Sequence, residues 1–77
     1  MAISAIDKKY WNPYYKKLGA RIKEARKIAK FSQQELASFM NVERTTVTNI
    51  EAGRQTLRVD QLIYIARILG CDVTKLI

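Results

Sequence analysis

The sequence contains no histidine, one cysteine and one proline among its 77 residues. Without histidine there is no Cys/His metal site and no histidine-based acid–base catalysis. We therefore expect no metal, no cofactor and no enzymatic activity. The single cysteine, Cys71, cannot form an internal disulfide. A lone thiol in a small domain is typical of a reducing compartment, so we expect a cytoplasmic protein.

Long apolar runs are also missing. No stretch approaches the roughly 20 apolar residues that a membrane-spanning helix requires. The opening MAISAI lacks the basic start and the long apolar run of a secretory signal. A chain of 77 residues is expected to form one domain.

Acidic residues are scarce in the first part of the chain. Residues 1–30 carry nine Lys or Arg and two acids, a net charge of +7, whereas residues 31–77 carry five of each sign. Such asymmetry indicates nucleic acid or an anionic membrane surface as a partner. The alternative is an ordinary solvated helix face.

A first helix is predicted over residues 13–29. Asn12 and Pro13 have the form of an N-cap followed by proline at the first helical position. Apolar residues then recur at helical spacing, at Leu18, Ile22, Ala25 and Ala29. Residues 1–11 show no clear period, so we expect an N-terminal extension over residues 1–12 followed by a domain over residues 13–77.

Two short helices are predicted next, with a tight turn between them. Ser32 and Glu35 have the spacing of a capping box, in which each side chain bonds the other residue's backbone N–H. Asn41 tolerates the left-handed conformation and suits a sharp turn at the end of that helix. A third helix is predicted over residues 44–51, before Gly53.

The segment VDQLIYIARILG predicts a fourth helix that ends at Gly70. Its buried face is predicted to consist of Val59, Leu62, Ile63, Ala66 and Leu69. Asp72 is placed to cap a short last helix over residues 73–77. No segment alternates as a strand, so the prediction is an all-α domain of five helices.

The stretch SQQELASFMNVERTTVTNIEAG resembles the helix-turn-helix of the phage Cro/C1 repressor family, also called XRE-like. The family pattern has a small residue in the middle of the first helix, here Ala37, and a turn residue four places later, here Asn41. The apolar positions of the pattern hold Leu36, Met40, Val42, Val47 and Ile50. NIEAGR and LIYIARILGCDVTKLI resemble the rest of the domain. The resemblance covers about residues 18–77 and implies a five-helix, lambda-repressor-like fold with the helix-turn-helix at about 33–52.

The resemblance implies that the third helix enters the DNA major groove, which admits one α-helix. The implied base-contacting residues are Arg44, Thr45, Thr48 and Asn49. The implied backbone-contacting residues are Gln33, Arg54, Gln55, Thr56 and Arg58. Arginine pairs bidentately with guanine and asparagine with adenine, so these residue types suit base reading.

The resemblance also assigns a structural role to two residues. Arg26 and Glu51 occupy positions that form a partly buried ion pair between the first and third helices of relatives, which makes Glu51 a clamp and not a catalytic acid. Glu43 departs from the pattern, because Ser, Thr or Asp normally caps the third helix there. The aromatic residues Tyr10, Trp11, Tyr14 and Tyr15 either pack the helix start onto the core or form a stacking platform for single strands.

The resulting expectation is a sequence-specific regulator of transcription that binds double-stranded DNA, a repressor acting as a homodimer on a palindromic operator. One alternative is the antitoxin or protein-interaction module of a toxin–antitoxin pair with autoregulatory DNA binding; a toxin or a sensor domain would then be its protein partner. Another is a binder of RNA or anionic membranes through the basic first helix.

Overall fold

The computed structural model describes residues 3–77, with side chains described from Pro13 onward. The elements in chain order are α1 (Ile3–Ile28), α2 (Gln33–Met40), α3 (Arg44–Glu51), α4 (Val59–Leu69) and a 3₁₀ helix (Val73–Lys75). Residues 3–77 contain no strand. The all-α prediction is therefore confirmed for this part of the chain.

The predicted start of the first helix is wrong. α1 begins at Ile3, and Pro13 lies inside it. Proline removes one backbone hydrogen bond and crowds the carbonyl four residues earlier, so it kinks some helices and ends others. The Asn-Pro pair alone does not distinguish these outcomes. The division into an extension, 1–12, and a domain, 13–77, stays a prediction.

The fifth helix is shorter and tighter than predicted. Residues 73–75 form a single 3₁₀ turn, so the structure has four α-helices within residues 3–77. The Asp72 carboxylate accepts the backbone N–H of Thr74 at 3.1 Å, as expected of a cap. An α-helix of five residues does not repay the cost of its nucleation, and a 3₁₀ turn is the usual outcome in so short a segment.

The core draws one large side chain from each part of the fold. The largest fully buried side chains are Ile22, Leu36, Val47, Ile65 and Leu76. They come in turn from α1, α2, α3, α4 and the C-terminal end.

The predicted buried face of α4 is partly wrong. Val59 is 72 % exposed and Ile63 is 43 % exposed, whereas Ile65 is completely buried. Leu62, Ala66 and Leu69 are buried, as predicted. Apolar residues lie on several sides of α4, so periodicity could not select the side that packs on α2 and on the C-terminal turn.

The turn between α2 and α3 has the predicted geometry. The capping box is confirmed: the Ser32 hydroxyl accepts from the N–H of Glu35 at 3.0 Å, and the Glu35 carboxylate accepts from the N–H of Ser32 at 2.8 Å. Asn41 is left-handed, with φ 58° and ψ 45°. Ala37 is completely buried, so α3 can cross close to α2.

Candidate nucleic-acid interface

A buried ion pair fixes α3 against α1. The Arg26 Nε donates to Glu51 Oε2 at 2.6 Å, and its Nη2 donates to Oε1 at 3.2 Å. The Arg26 Nη1 also donates to the carbonyl of Phe31 at 2.7 Å. The guanidinium thus joins α1, the end of α3 and the loop before α2. No buried side-chain polar atom of the described residues lacks a hydrogen-bond partner.

α1 approaches the end of α3 at Gly19, a contact that sequence reasoning missed. A Cβ atom on Gly19 would lie 2.3 Å from the carbonyl oxygen of Ile50 and 2.7 Å from that of Glu51. Only a glycine allows this approach without a shift of the backbone. A glycine inside an amphipathic helix was the available signal for such close packing.

The outward side of α3 carries the polar residues that the resemblance assigns to base contact. Arg44 and Thr45 are exposed, and Thr48 and Asn49 are half-buried. The opposite side is buried, since Val47 is 1 % exposed and Ile50 is 2 % exposed. The helix therefore brings these four polar residues together on one accessible strip.

Thr48 and Gln33 are more constrained than the sequence indicates. The Gln33 Nε2 donates to Glu51 Oε1 at 3.0 Å, and the Gln33 Oε1 accepts from the Thr48 hydroxyl at 3.0 Å. The same hydroxyl lies 3.2 Å from the carbonyl oxygen of Arg44. Gln33 thus connects the start of α2 to the outward side of α3.

The N-terminal end of α3 is uncapped by a side chain. Glu43 occupies the N-cap position and makes no side-chain hydrogen bond there. The end of a helix with free backbone N–H groups is electropositive, and the exposed Arg44 adds a full charge to it. The exposed Glu43 carboxylate offsets part of this positive charge, so the groups of this end that suit an anionic partner are the backbone N–H groups and the Arg44 guanidinium.

The loop after α3 holds the remaining positions assigned to DNA-backbone contact. Arg54 and Thr56 are exposed, and Gln55 is half-buried. Arg58 is exposed and donates from Nε to Asp60 Oδ1 at 3.0 Å. This hydrogen bond from Arg58 lowers the pKa of the Asp60 carboxyl. Arg58 must therefore exchange a weak exposed ion pair for any phosphate contact.

The N-terminal aromatic residues lie apart from this strip in the chain and are only partly described. Tyr14 is 60 % exposed and Tyr15 is half-buried. Both line a cavity of about 340 Å³ together with Leu57 and Leu76. The side chains of Tyr10 and Trp11 lie outside the described residues, so the choice between packing and base stacking stays open.

Metal-binding clusters and membrane-spanning helices are two other features that would indicate a function. The side chains described, from residue 13 onward, include no group of three or more His, Cys, Asp or Glu that could hold a metal ion. Among the helices of the described residues, none combines the length and apolar character needed to cross a membrane.

Comparison with known proteins supports the assignment of a helix-turn-helix domain. A family profile described as "Helix-turn-helix" matches residues 22–76. The ImmF control region 10 kDa protein of Bacillus phage phi105 is 38 % identical over 61 residues, which are 79 % of this chain and 68 % of that protein. The competence pilus inhibition repressor of Acinetobacter baylyi is 29 % identical over 59 residues, or 77 % of this chain. The chain spans only 54 % of the length of that repressor.

A solved structure has the same fold. The crystal structure of the restriction-modification controller protein C.AhdI from Aeromonas hydrophila superposes with a TM-score of 0.81 at 24 % identity, covering 87 % of this chain and 97 % of that one. At this identity the likeness establishes the arrangement of the helices. The profile match over most of the chain establishes more: the chain belongs to the Cro/C1-type (XRE-like) helix-turn-helix family.

Proposed function

We propose that the protein is a transcriptional repressor that binds double-stranded DNA by sequence, with α3 in the major groove, as a homodimer on a palindromic operator in the cytoplasm. The observation that carries this proposal is the polar strip on α3. Its exposed end bears Arg44 and Thr45, while the inner side is fixed by the core and by the Arg26–Glu51 pair. A rigidly held helix with an exposed polar side suits groove reading.

The chemistry of the strip supports base reading. Described residues form no hydrogen bond or ion pair with the Arg44 guanidinium, so its donors are available to the acceptors O6 and N7 of guanine. The Asn49 amide can both donate to and accept from the edge of adenine. Each such bidentate contact discriminates against the wrong base by about 1–3 kcal/mol.

The residues around the strip supply affinity without sequence preference. Arg54 and Thr56 are exposed directly after α3 and suit contacts to phosphate oxygens. Gln33 stands at the start of α2 with one amide hydrogen still available for a phosphate. The excess positive charge of residues 1–30 strengthens the long-range attraction to DNA.

The relatives and the size of the domain support the repressor and dimer parts of the proposal. One relative is named a repressor, and another is named for a phage control region. α3 has only eight residues, so one copy reaches few base pairs. Two copies related by a two-fold axis would read half-sites about 34 Å apart, which requires a palindromic site.

The test is selection of bound sequences from a random duplex pool, with single-stranded RNA and anionic vesicles assayed in parallel. The proposal predicts enrichment of an inverted repeat whose half-site centres are one helical turn apart. Retention of RNA or vesicles with no enriched duplex sequence would contradict it and would favour a binding role for the basic α1.

A further inference from the structure

Thr48 differs from its neighbours on the polar strip, because its hydroxyl already has partners inside the protein. Its oxygen lies 3.0 Å from the Gln33 Oε1 and 3.2 Å from the carbonyl oxygen of Arg44. Neither of these oxygen atoms carries a hydrogen. The single hydroxyl hydrogen of Thr48 is therefore donated within the protein, whichever of the two accepts it.

The charge of Glu51 determines which way the Gln33 amide faces. A carboxylate only accepts hydrogen bonds, and two nitrogens of Arg26 already donate to Glu51. Gln33 must therefore turn its Nε2 toward Glu51, at 3.0 Å, and its carbonyl oxygen toward Thr48. The charge of Glu51 thus determines which atom of Gln33 donates and which accepts, and through Gln33 it makes Thr48 a donor within the protein.

We infer that Thr48 acts in the major groove only as a hydrogen-bond acceptor, and that it selects a base with an amino group over a base with a keto group on the strand it faces. The inference rests on the proposed DNA binding. Adenine N6 and cytosine N4 donate in the groove, whereas guanine O6 and thymine O4 accept. An oxygen whose only hydrogen is already donated within the protein accepts a hydrogen bond from adenine N6 or cytosine N4. It is repelled by guanine O6 and thymine O4.

Thr48 thus differs from Arg44 and Asn49 in the hydrogen bonds that it can form with a base. Arg44 only donates, and the Asn49 amide donates and accepts, so each can satisfy acceptors on a base. Thr48 adds the opposite preference at one position of each half-site. Because Glu51 and Gln33 do not themselves need to contact a base for this effect, they are positioning residues for Thr48.

The first test is duplex selection with the wild-type protein, Thr48→Val and Thr48→Ser. Valine has the shape of threonine without the hydroxyl, and serine keeps the hydroxyl. We expect a wild-type preference for adenine or cytosine at one position per half-site. Thr48→Val should lose about threefold to tenfold of discrimination there, the usual contribution of one hydrogen bond. The rest of the motif should persist, and Thr48→Ser should keep the wild-type preference.

The second test removes the base amino group instead of the hydroxyl. In the selected duplex, purine without the 6-amino group replaces that adenine, or 2-pyrimidinone replaces that cytosine. Affinity should fall about threefold to tenfold for the wild type and Thr48→Ser, and should not change for Thr48→Val.

Three results would overturn the inference. Thr48→Val could keep the whole wild-type motif, or it could lose a preference for guanine or thymine, which would show a donating hydroxyl. The amino-group deletion could also weaken Thr48→Val as much as the wild type. A wild-type selection that enriches no sequence would overturn the proposed function first, so the two failures are distinguishable.

Discussion

Arg26 and Glu51 connect α1 to the end of the polar helix α3 at an Nε–Oε2 distance of 2.6 Å, with side chains only 9 % and 3 % exposed. The contact also determines how Gln33 is oriented, since Glu51 accepts from both side chains. A buried charge that loses its partner keeps its desolvation cost without the compensating attraction. The pair therefore makes the position of α3 depend on α1.

Replacing Arg26 by methionine should destabilise the fold by about 3–5 kcal/mol, because the Glu51 carboxylate would stay buried without its guanidinium. Urea unfolding followed by circular dichroism measures this change. Arg58→Met is the matched control, since the Arg58–Asp60 pair is 75 % and 71 % exposed. Its loss should leave the free energy of unfolding almost unchanged, because solvent screens an exposed ion pair. Equal costs for the two variants would contradict the prediction that a buried carboxylate without its partner destabilises the fold.

Gly19→Ala should displace α3 and weaken both stability and DNA binding. The added Cβ would lie 2.3 Å from a backbone oxygen of Ile50, which cannot move independently of its helix. We expect a loss of about 1–3 kcal/mol, the usual cost of overpacking. Unfolding curves and duplex titrations measure the two effects.

Gly70→Ala is the control for that variant. Gly70 has φ +69°, but apart from the adjacent backbone no atom lies within 4 Å of an added Cβ, so its cost comes from the local left-handed conformation and not from contact with another element. It should lose about 1 kcal/mol and bind DNA normally below its unfolding temperature. If Gly19→Ala binds DNA as well as Gly70→Ala does, the close approach does not position α3.

Arg44→Ala and Asn49→Ala should change the selected DNA motif, whereas Arg54→Ala should lower affinity and leave the motif intact. Base contacts specify sequence, and phosphate contacts act alike on all sequences. Each base-contact variant should relax one or two positions per half-site by about 1–3 kcal/mol. Selection from a random duplex pool reads out both effects. A changed motif in the Arg54 variant, with unchanged motifs in the other two, would reverse the proposed docking.

Deleting residues 2–11 should flatten the salt dependence of DNA binding without changing the preferred sequence. Two lysines, Lys8 and Lys9, are removed, and each phosphate contact contributes about 0.9 to the slope of log affinity against log salt. Duplex titrations between low and moderate salt measure the slope. An unchanged slope would show that these lysines do not contact DNA. Lys16→Ala and Lys17→Ala test the same effect with α1 kept at full length.

Dimerisation is predicted to use exposed apolar residues of the C-terminal third. Leu76 is 1 % exposed and belongs to the protein's own core. Tyr64 and Ile77 are 50 % and 66 % exposed and belong to the accessible apolar residues of that region, together with Val59 and Ile63. Ile77→Glu should therefore weaken self-association in analytical ultracentrifugation, with Ile28→Glu on α1 as the exposed control. A wild-type protein that stays monomeric at high concentration, free and on DNA, would refute the dimer.

Local features of the sequence predicted the helix-turn-helix well. Ser32 and Glu35 are three residues apart, and Asn41 tolerates positive φ, so the start and end of α2 follow from backbone chemistry alone. The bounds of α3 also followed from local signals, since Gly53 adopts φ +76° directly after that helix. The predicted start of α1 was wrong, because local rules allow Pro13 both at the first position of a helix and inside a longer helix.

The side of α4 that is buried was decided by the neighbouring elements. Val59 and Ile63 are as apolar as Leu62 and Ile65, so no local preference separates the two sides. The same limit applies to Thr48. Its type and position placed it on the outward side of α3, but one of the two acceptors of its hydroxyl, Gln33, is 15 residues away and reaches it only in the folded chain.

The sequence by itself determined the family, the bounds of α3 and the polar strip on α3, because caps, turns and helical periodicity act over a few residues. Tertiary structure decided which polar atoms on that strip are free. Arg26, Gln33, Thr48 and Glu51 come together only when three helices pack. A hydrogen-bond network has a direction that depends on every member, so the direction of the Thr48 hydroxyl is a property of the folded chain.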